Sequence, residues 1–318
     1  MKNIVVTGPT ATGKTRLAVK IAEAYSGEII SVDSRQVYRT LDIGTGKDLD
    51  EYFLNGNQIP YHLIDIVDPS DTYHLMAFRN DALVCLENIQ KRGKIPVLAG
   101  GSPLYIDSII SNYSMKGAPP DDSFRRSLDG YDIKQLLELL KKKNQEQYEQ
   151  LKNGFNRNRI IRYLEKQHTE LTAIDLPEVP DSMEWLILGV YFHRSTVHKR
   201  IEKRLDLRLK NGMVEEVKKL HETGLSWDKL EFFGLEYKYL ALYLQGKLSF
   251  QEMRDQLLAK IRQFAKRQDI WFRKMEREGK KIYWIPEGDF DSASNLIDDF
   301  LNNTKLPEPQ IKISEIKY

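Results

Sequence analysis

Residues 8–15 read Gly8-Pro9-Thr10-Ala11-Thr12-Gly13-Lys14-Thr15, the pattern G-x-x-x-x-G-K-[ST] in full. An apolar run, Ile4-Val5-Val6-Thr7, precedes it. A segment with Leu17, Ile21 and Tyr25 at i, i+4 and i+8 follows it, one stripe of a helix that buries one face. Strand, glycine loop and helix in this order restrict the chain more than any other feature. The glycines let the backbone wrap an oxyanion, and the loop N–H groups and the helix N-terminus point at it. Lys14 adds a positive charge, and the Thr15 hydroxyl is placed for Mg²⁺. A glycine-rich turn matching by chance is the competing reading, and the flanking strand and helix argue against it. The motif specifies a di- or triphosphate and leaves the reaction open.

Further apolar runs rich in β-branched residues lie at 28–33, 61–67, 95–99, 186–192 and 282–285, with helix-period segments between them. Strands alternating with helices argue for a parallel sheet covered on both faces. The pattern changes at Ala118-Pro119-Pro120, and from there to Pro177-Glu178-Val179-Pro180 only helical segments are expected. The expected fold is therefore α/β: a P-loop NTPase-like parallel sheet with helices on both faces, plus an inserted helical domain. The core takes 1–117 and 183–303, the insertion 118–182, and the tail 304–318, with Pro307 and Pro309, is irregular. Two long charged helices are expected near 195–222 and 250–278.

Two more loops follow strands on the same sheet edge, where ligands of open α/β sheets bind. Asp33, in Ser31-Val32-Asp33-Ser34-Arg35-Gln36, stands at a strand's carboxyl end. It can be a Mg²⁺ ligand, a general base or an N-cap for the turn that follows. Gly100-Gly101-Ser102-Pro103 follows the run 95–99; its glycine pair permits close backbone approach, and Ser102 offers a hydroxyl.

Composition matters through exclusion. At 41% hydrophobic and 30% charged residues the chain is not disordered. No apolar run approaches the ~18 residues that cross a bilayer. A single cysteine, Cys85, permits no intramolecular disulfide and suits a reducing cytosol, and with Ile4 so near the start no cleavable targeting peptide is expected. The formal net charge of +2 hides segregation. Windows 141–166, 192–210 and 254–281 carry +5, +5 and +6, so the remainder carries −14. Such basic stretches are fit to meet phosphates, or are solvated helix faces. The six histidines lack metal-ligand spacing, and Glu215-Glu216 reads as a solvated helix face.

Several stretches together resemble the tRNA dimethylallyltransferase family. They are the phosphate loop, Asp33-Ser34-Arg35-Gln36-Val37-Tyr38-Arg39, Asp42-Ile43-Gly44-Thr45-Gly46-Lys47, His62-Leu63-Ile64-Asp65-Ile66 and Ala99-Gly100-Gly101-Ser102-Pro103-Leu104-Tyr105-Ile106. Arg159-Ile160-Ile161-Arg162-Tyr163-Leu164-Glu165, Arg200-Ile201-Glu202-Lys203-Arg204, Gly212-Met213-Val214-Glu215-Glu216-Val217 and Lys266-Arg267-Gln268-Asp269-Ile270-Trp271-Phe272-Arg273 continue the series, which spans residues 4–273.

The resemblance implies transfer of a dimethylallyl group from dimethylallyl diphosphate to N6 of adenosine 37 in tRNA. Gly8, Pro9, Thr10, Ala11, Thr12, Gly13, Lys14 and Thr15 would hold the diphosphate, with Mg²⁺ on Thr15. Asp33 aligns with the family's base; Lys14, Thr10 and an arginine, Arg200 or Arg204, would stabilise the leaving diphosphate. Asp33, Ser34, Arg35, Gln36 and Ser102 would meet the flipped base and its neighbours. Asn158, Arg159, Ile160, Ile161, Arg162, Arg267 and Gln268 would contact the tRNA, with Trp271 kept as core. A cytoplasmic monomer acting on the anticodon stem-loop is expected, with no membrane partner. Two departures stand out. Ser102-Pro103 replaces the family's Thr-Gly, and Pro103 removes an N–H donor. Gly234-Leu235-Glu236-Tyr237-Lys238-Tyr239 replaces Gly-Leu-Gly-Tyr-Lys-Glu. A P-loop small-molecule or nucleoside kinase, a prenyltransferase on free adenine nucleotides, and a non-catalytic RNA-binding protein are the alternatives.

Overall fold

The structure is a computed structural model, and it describes residues 1–111, 121–151, 157–168 and 178–316. Eight strands occur among them: β1 Lys2–Thr7, β2 Gly27–Ser31, β3 Phe53–Leu54, β4 Asn57–Gln58, β5 Tyr61–His62, β6 Ile95–Ala99, β7 Glu184–Tyr191 and β8 Ile282–Pro286. Six form one sheet in the order β5-β2-β6-β1-β7-β8. Every pairing in it is parallel. All six apolar runs read from the sequence contribute a strand. The run at 61–67 keeps only Tyr61–His62, because Leu63 and Asp65 adopt positive φ and turn the chain out of the ladder. Strands β3 and β4 form a small antiparallel ribbon outside the sheet.

The sheet is covered on both faces, and β1 shows how. Val5 packs into one apolar cluster, with Phe78, Leu86, Leu257 and Phe272. Its neighbours Ile4 and Val6 pack into the other, with Leu17, Ile21, Ile297 and Phe300. Alternate residues of a strand point to opposite faces, so a strand buried on both sides reads as a continuous apolar run. All three of these residues are fully buried; shaving Ile4 to alanine costs about 2–5 kcal/mol.

The long helix expected near 195–222 is two helices, Arg194–Lys210 and Met213–Glu222. Gly212, with φ of 97°, sits between them in a left-handed conformation that ends the first helix and caps the second. The second expected helix is one unbroken span, Phe250–Arg277, opened by a capping box between Ser249 and Glu252. Residues 304–316 carry no helix or strand. They are tied down even so: Ile313 is buried, and the N–H groups of Ile313 and Ser314 donate to the Glu276 carboxylate at 3.2 and 2.7 Å.

The chain divides into two compact units, one of residues 1–112 and 179–318, the other of 113–178. The proposed boundary at Ala118-Pro119-Pro120 lies outside the described residues, as does Pro177. The smaller unit is helical among its described residues: Asp122–Ser127, Ile133–Lys143, Gln145–Leu151 and Arg157–His168. Its own core holds Leu136, Leu140, Leu151, Ile160, Ile161 and Leu164. Buried Glu165 links it further, accepting from Arg125 at 2.6 Å and Arg162 at 2.8 Å.

Candidate active site

Three loops meet beyond the carboxyl ends of the neighbouring strands β2, β6 and β1. The Val32 N–H donates to Ala99 O at 2.8 Å and the Gly100 N–H to Val6 O at 3.1 Å, so the strand ladder extends into the loops themselves. Gly100 has to be glycine: a β-carbon there would lie 2.1 Å from the Val32 carbonyl oxygen. The loops, the 44–48 segment and the helices Arg194–Lys210, Leu235–Leu244 and Phe250–Arg277 enclose a cleft of about 660 Å³.

The phosphate loop forms one wall. Thr12 Oγ1 donates to Pro9 O at 2.9 Å and fixes the turn. Lys14 Nζ donates to the same carbonyl at 2.8 Å. Burial, reinforced by the Arg204 charge, lowers the Lys14 pKa to about 7, against the opposing pull of Asp33 and Glu51. The Thr15 side chain lines the cleft and makes no hydrogen bond among the described residues.

Arg200 and Arg204 both reach this loop. Arg200 Nε donates to Ala11 O at 2.7 Å, and its guanidinium lies 4.6 Å from the Phe192 ring centroid. Arg204 Nη2 donates to Thr10 Oγ1 at 2.6 Å. Burial lowers the Arg204 pKa to about 10. The acids of the same helix, Glu202 and Asp206, turn to the neighbouring helix: Arg254 meets Asp206 at 2.7 Å and Arg262 meets Glu202 at 2.8 Å. Both arginines line the cleft, Arg204 half-buried and Arg200 exposed. The same pairs neutralise part of the basic windows 192–210 and 254–281.

Asp33 caps the turn that follows it, one of its three sequence readings. Its Oδ1 accepts the N–H of Arg35 at 2.8 Å and of Gln36 at 3.4 Å, which caps the turn. The residue also lines the cleft. Burial raises its pKa, while the two N–H donors, Arg35 and Lys14 oppose the rise. Gln36 is held by Ser31 Oγ at 3.0 Å and donates to Gly46 O at 2.9 Å. Arg35 lies 4.8 Å from the ring centroid of exposed Phe232. Ser34 and Ser102 line the same cleft. Pro103 is the first residue of the helix Pro103–Ile110. An N–H at that position has no intrahelical acceptor, so its loss costs the helix nothing.

Three of the residues expected at the RNA are buried in the structure. Gln268 is 4% exposed; its Oε1 accepts the Thr10 N–H at 2.8 Å and its Nε2 donates to Gly101 O. The amide is consumed in tying the phosphate loop to the glycine loop. Ile160 and Ile161 are 0% and 4% exposed, in the core of the smaller unit. The apolar side chains of the Arg159–Arg162 stretch face inward because a helix buries one stripe; Asn158 and Arg159 are exposed. Arg267 is exposed, near the Phe264 ring. Trp271 is half-buried against the core.

Sequence reasoning missed a clamp. Glu216 is not on a solvated face. Its carboxylate accepts the N–H groups of Asp42, Ile43 and Gly44 at 3.0, 2.6 and 3.1 Å and the Tyr237 hydroxyl at 2.6 Å. Lys47 is buried between Asp42, at 2.6 Å, and Asp65. Arg208 pairs with Asp48 at 2.9 Å. These contacts hold the segment 42–48 in the cleft wall, beside Gln36. Only the acid at Glu216 beside Val217, inside a helix with an apolar stripe, hinted that this residue was not outward.

The family model described as IPP transferase matches residues 36–275, and that described as isopentenyl transferase matches residues 1–65. A tRNA dimethylallyltransferase 1 of Syntrophus aciditrophicus is 45% identical over 300 residues, 93% of this chain and 98% of that protein. A second, of Geotalea uraniireducens, is 42% identical over 91% of this chain and 93% of its own length. Among solved structures, the tRNA isopentenylpyrophosphate transferase of Bacillus halodurans superposes with a TM-score of 0.67 at 30% identity, covering 95% of this chain and 96% of that one. A eukaryotic dimethylallyltransferase acting on tRNA superposes with a TM-score of 0.74 at 24% identity, over 98% and 81%, a likeness of fold.

Proposed function

This chain belongs to the IPP transferase family of tRNA dimethylallyltransferases, and on that premise we propose how its cleft performs the transfer. The enzyme is a prenyltransferase that moves a dimethylallyl group from dimethylallyl diphosphate to N6 of adenosine 37 in tRNA and releases diphosphate. The observation that carries this reading is one cleft in which the Asp33 carboxylate and the Thr10–Arg204 pair are both wall residues.

Adenine N6 is a weak nucleophile, because its lone pair is delocalised into the ring. Attack on the allylic carbon needs assistance at both ends. Asp33 takes the N6 proton: burial raises its pKa, which makes its carboxylate a stronger base than an ordinary one. The leaving diphosphate gathers negative charge, and donors already aimed at it stabilise that charge. Lys14, Arg204, Arg200 and the N–H groups of residues 8–15 supply them. Binding the diphosphate recharges Lys14.

Mg²⁺ fits the donor set. The Thr15 hydroxyl is uncommitted and on the cleft wall, and no cluster of three or more His, Cys, Asp or Glu among the described residues could hold a metal unaided. A hard cation completed by substrate phosphate oxygens suits such a site. When bound, it would neutralise diphosphate charge, with Thr15 as its protein ligand.

The acceptor is an anticodon stem-loop, and its adenine leaves the stack to reach Asp33. Ser34, Arg35, Gln36 and Ser102 meet the base and its neighbours. Arg267, and Asn158, Arg159 and Arg162 of the inserted helical unit, meet phosphates. A cytoplasmic monomer completes the proposal. Among the described residues no helix is long and apolar enough to cross a membrane. Purified enzyme is expected to transfer label from dimethylallyl diphosphate to a stem-loop bearing adenosine 37, and not to AMP. Label on AMP alone would return the reading to a free-nucleotide prenyltransferase.

A further inference from the structure

Phe232 ends the short helix Trp227–Phe232 and leaves 43% of its surface to solvent. It falls in none of the stretches that carry the family resemblance. A single apolar side chain on a surface is ordinary, but the surroundings set this one apart. The Arg35 guanidinium lies 4.8 Å from its ring centroid and Lys229 Nζ 5.7 Å. Glu231, the acid next to it in the chain, is paired with Lys238 at 3.2 Å. An aromatic ring attended by cations, with part of its surface open, is what a single-stranded nucleic acid meets: a base stacks on the ring, and its phosphates meet the cations.

The ring is also held beside the reacting groups. It packs edge-on to Phe233, with centroids 6.1 Å apart. Phe233 is buried and lies edge-on to Tyr38 at 4.9 Å and to Tyr237 at 6.1 Å. Lys229 Nζ donates to Ser70 O at 3.0 Å and Asp71 O at 2.7 Å, which ties the short helix down from another side. Arg35 connects the ring to the reacting carboxylate: its side chain lies on Phe232, and its N–H donates to Asp33 Oδ1 at 2.8 Å. Arg35 and Phe233 both line the cleft, so Phe232 stands at the rim, on the side of Asp33.

An adenine that enters the cleft as far as Asp33 leaves its two neighbours one nucleotide behind, at the rim. Its extraction takes away a stacking surface from each of them, and an exposed ring there restores one. We propose that Phe232 is the stacking platform for a base flanking adenosine 37, with Arg35 holding the ring in place. This rests on the reading that Asp33 receives the flipped adenine.

The test is equilibrium binding of three anticodon stem-loops to the full chain: one intact, one abasic on the 5′ side of adenosine 37 and one abasic on its 3′ side. Wild type is compared with Phe232→Ala, with Phe232→Leu, which keeps an apolar contact to Phe233, and with Phe232→Trp. The Ala and Leu variants are expected to bind the intact stem-loop about five- to a hundredfold more weakly, and Phe232→Trp to match wild type. On the stem-loop that lacks the stacked base, the Ala and Leu variants bind as wild type does. All three variants keep wild-type affinity for inorganic diphosphate, a readout that a general loss of structure would move. Undiminished binding of the intact stem-loop by both the Ala and Leu variants overturns the proposal, as does a loss that persists in full on both abasic stem-loops. A wild type that neither binds nor modifies the intact stem-loop overturns the tRNA reading instead.

Discussion

Arg204 donates to the Thr10 hydroxyl at 2.6 Å across 194 residues of sequence, and this bond joins the helix Arg194–Lys210 to the phosphate loop. Thr10 is fixed from a second side, since its N–H donates to Gln268 Oε1 at 2.8 Å. One residue of the loop therefore registers two helices against the place where diphosphate charge develops.

Arg204→Ala should lower kcat/KM for dimethylallyl diphosphate by about 10²–10³, the usual loss when one pre-aimed donor is removed. Thr10→Val keeps the Arg204 charge in the cleft and should lose less. Steady-state kinetics on both variants decides it; equal losses would move the role from the guanidinium to the hydroxyl.

Lys14, with a pKa near 7 in the empty cleft, must be protonated to hold diphosphate well. Above pH 7 binding therefore takes up a proton, and donor affinity falls as pH rises, by at most about tenfold per unit. Calorimetry at pH 8 in two buffers of different ionisation enthalpy should report an uptake approaching one proton. Uptake that persists in Lys14→Met would assign the proton elsewhere.

Asp33 must be ionised to accept the N6 proton. Its pKa is raised, so activity is lost as pH falls through a value above the ordinary ~3.9 of an aspartate. Asp33→Asn should lower kcat by roughly 10²–10⁴ and leave diphosphate affinity in place, because the asparagine still caps the turn. Retained kcat in that variant would remove Asp33 as the base.

Glu216 satisfies three backbone N–H groups and the Tyr237 hydroxyl. Glu216→Ala removes the acceptor of all four donors, which are partly buried apart from the exposed N–H of Asp42, and should cost about 1–3 kcal/mol of stability. Thermal unfolding should show a fall of several degrees. Tyr237→Phe removes one bond of the four and should cost about 1 kcal/mol.

In the smaller unit, Ile160→Ala and Arg159→Ala should separate cleanly. Ile160 is fully buried, so its truncation costs about 2–5 kcal/mol. Arg159 is exposed. Its loss should lower Tm far less than the loss of Ile160, weaken tRNA binding and reduce the salt slope of log K by about one. Unchanged tRNA affinity in Arg159→Ala would take this helix out of the RNA contact.

Local patterning carried a great deal here. The sequence by itself determined the strand runs, the phosphate loop, the helix behind it and the helical character of the insertion, because each follows from periodicity or from residues a few positions apart. It did not decide the break at Gly212, since a left-handed glycine inside a helical pattern also passes for a tolerated one. Nor did it show that Ile160 and Ile161 face a core, because the resemblance supplied a stretch of residues without a side for each.

Only the tertiary structure could choose among partners. Arg200, Glu202, Arg204 and Asp206 lie within one helix, and sequence spacing alone allowed the arginines to pair with the acids. The fold turns the acids to Arg254 and Arg262 and the arginines to Ala11 and Thr10. Gln268 and Glu216 acquire their places the same way, from strands and helices distant in sequence. A charge's neighbour is set by which elements pack together, and that is a property of the assembled core.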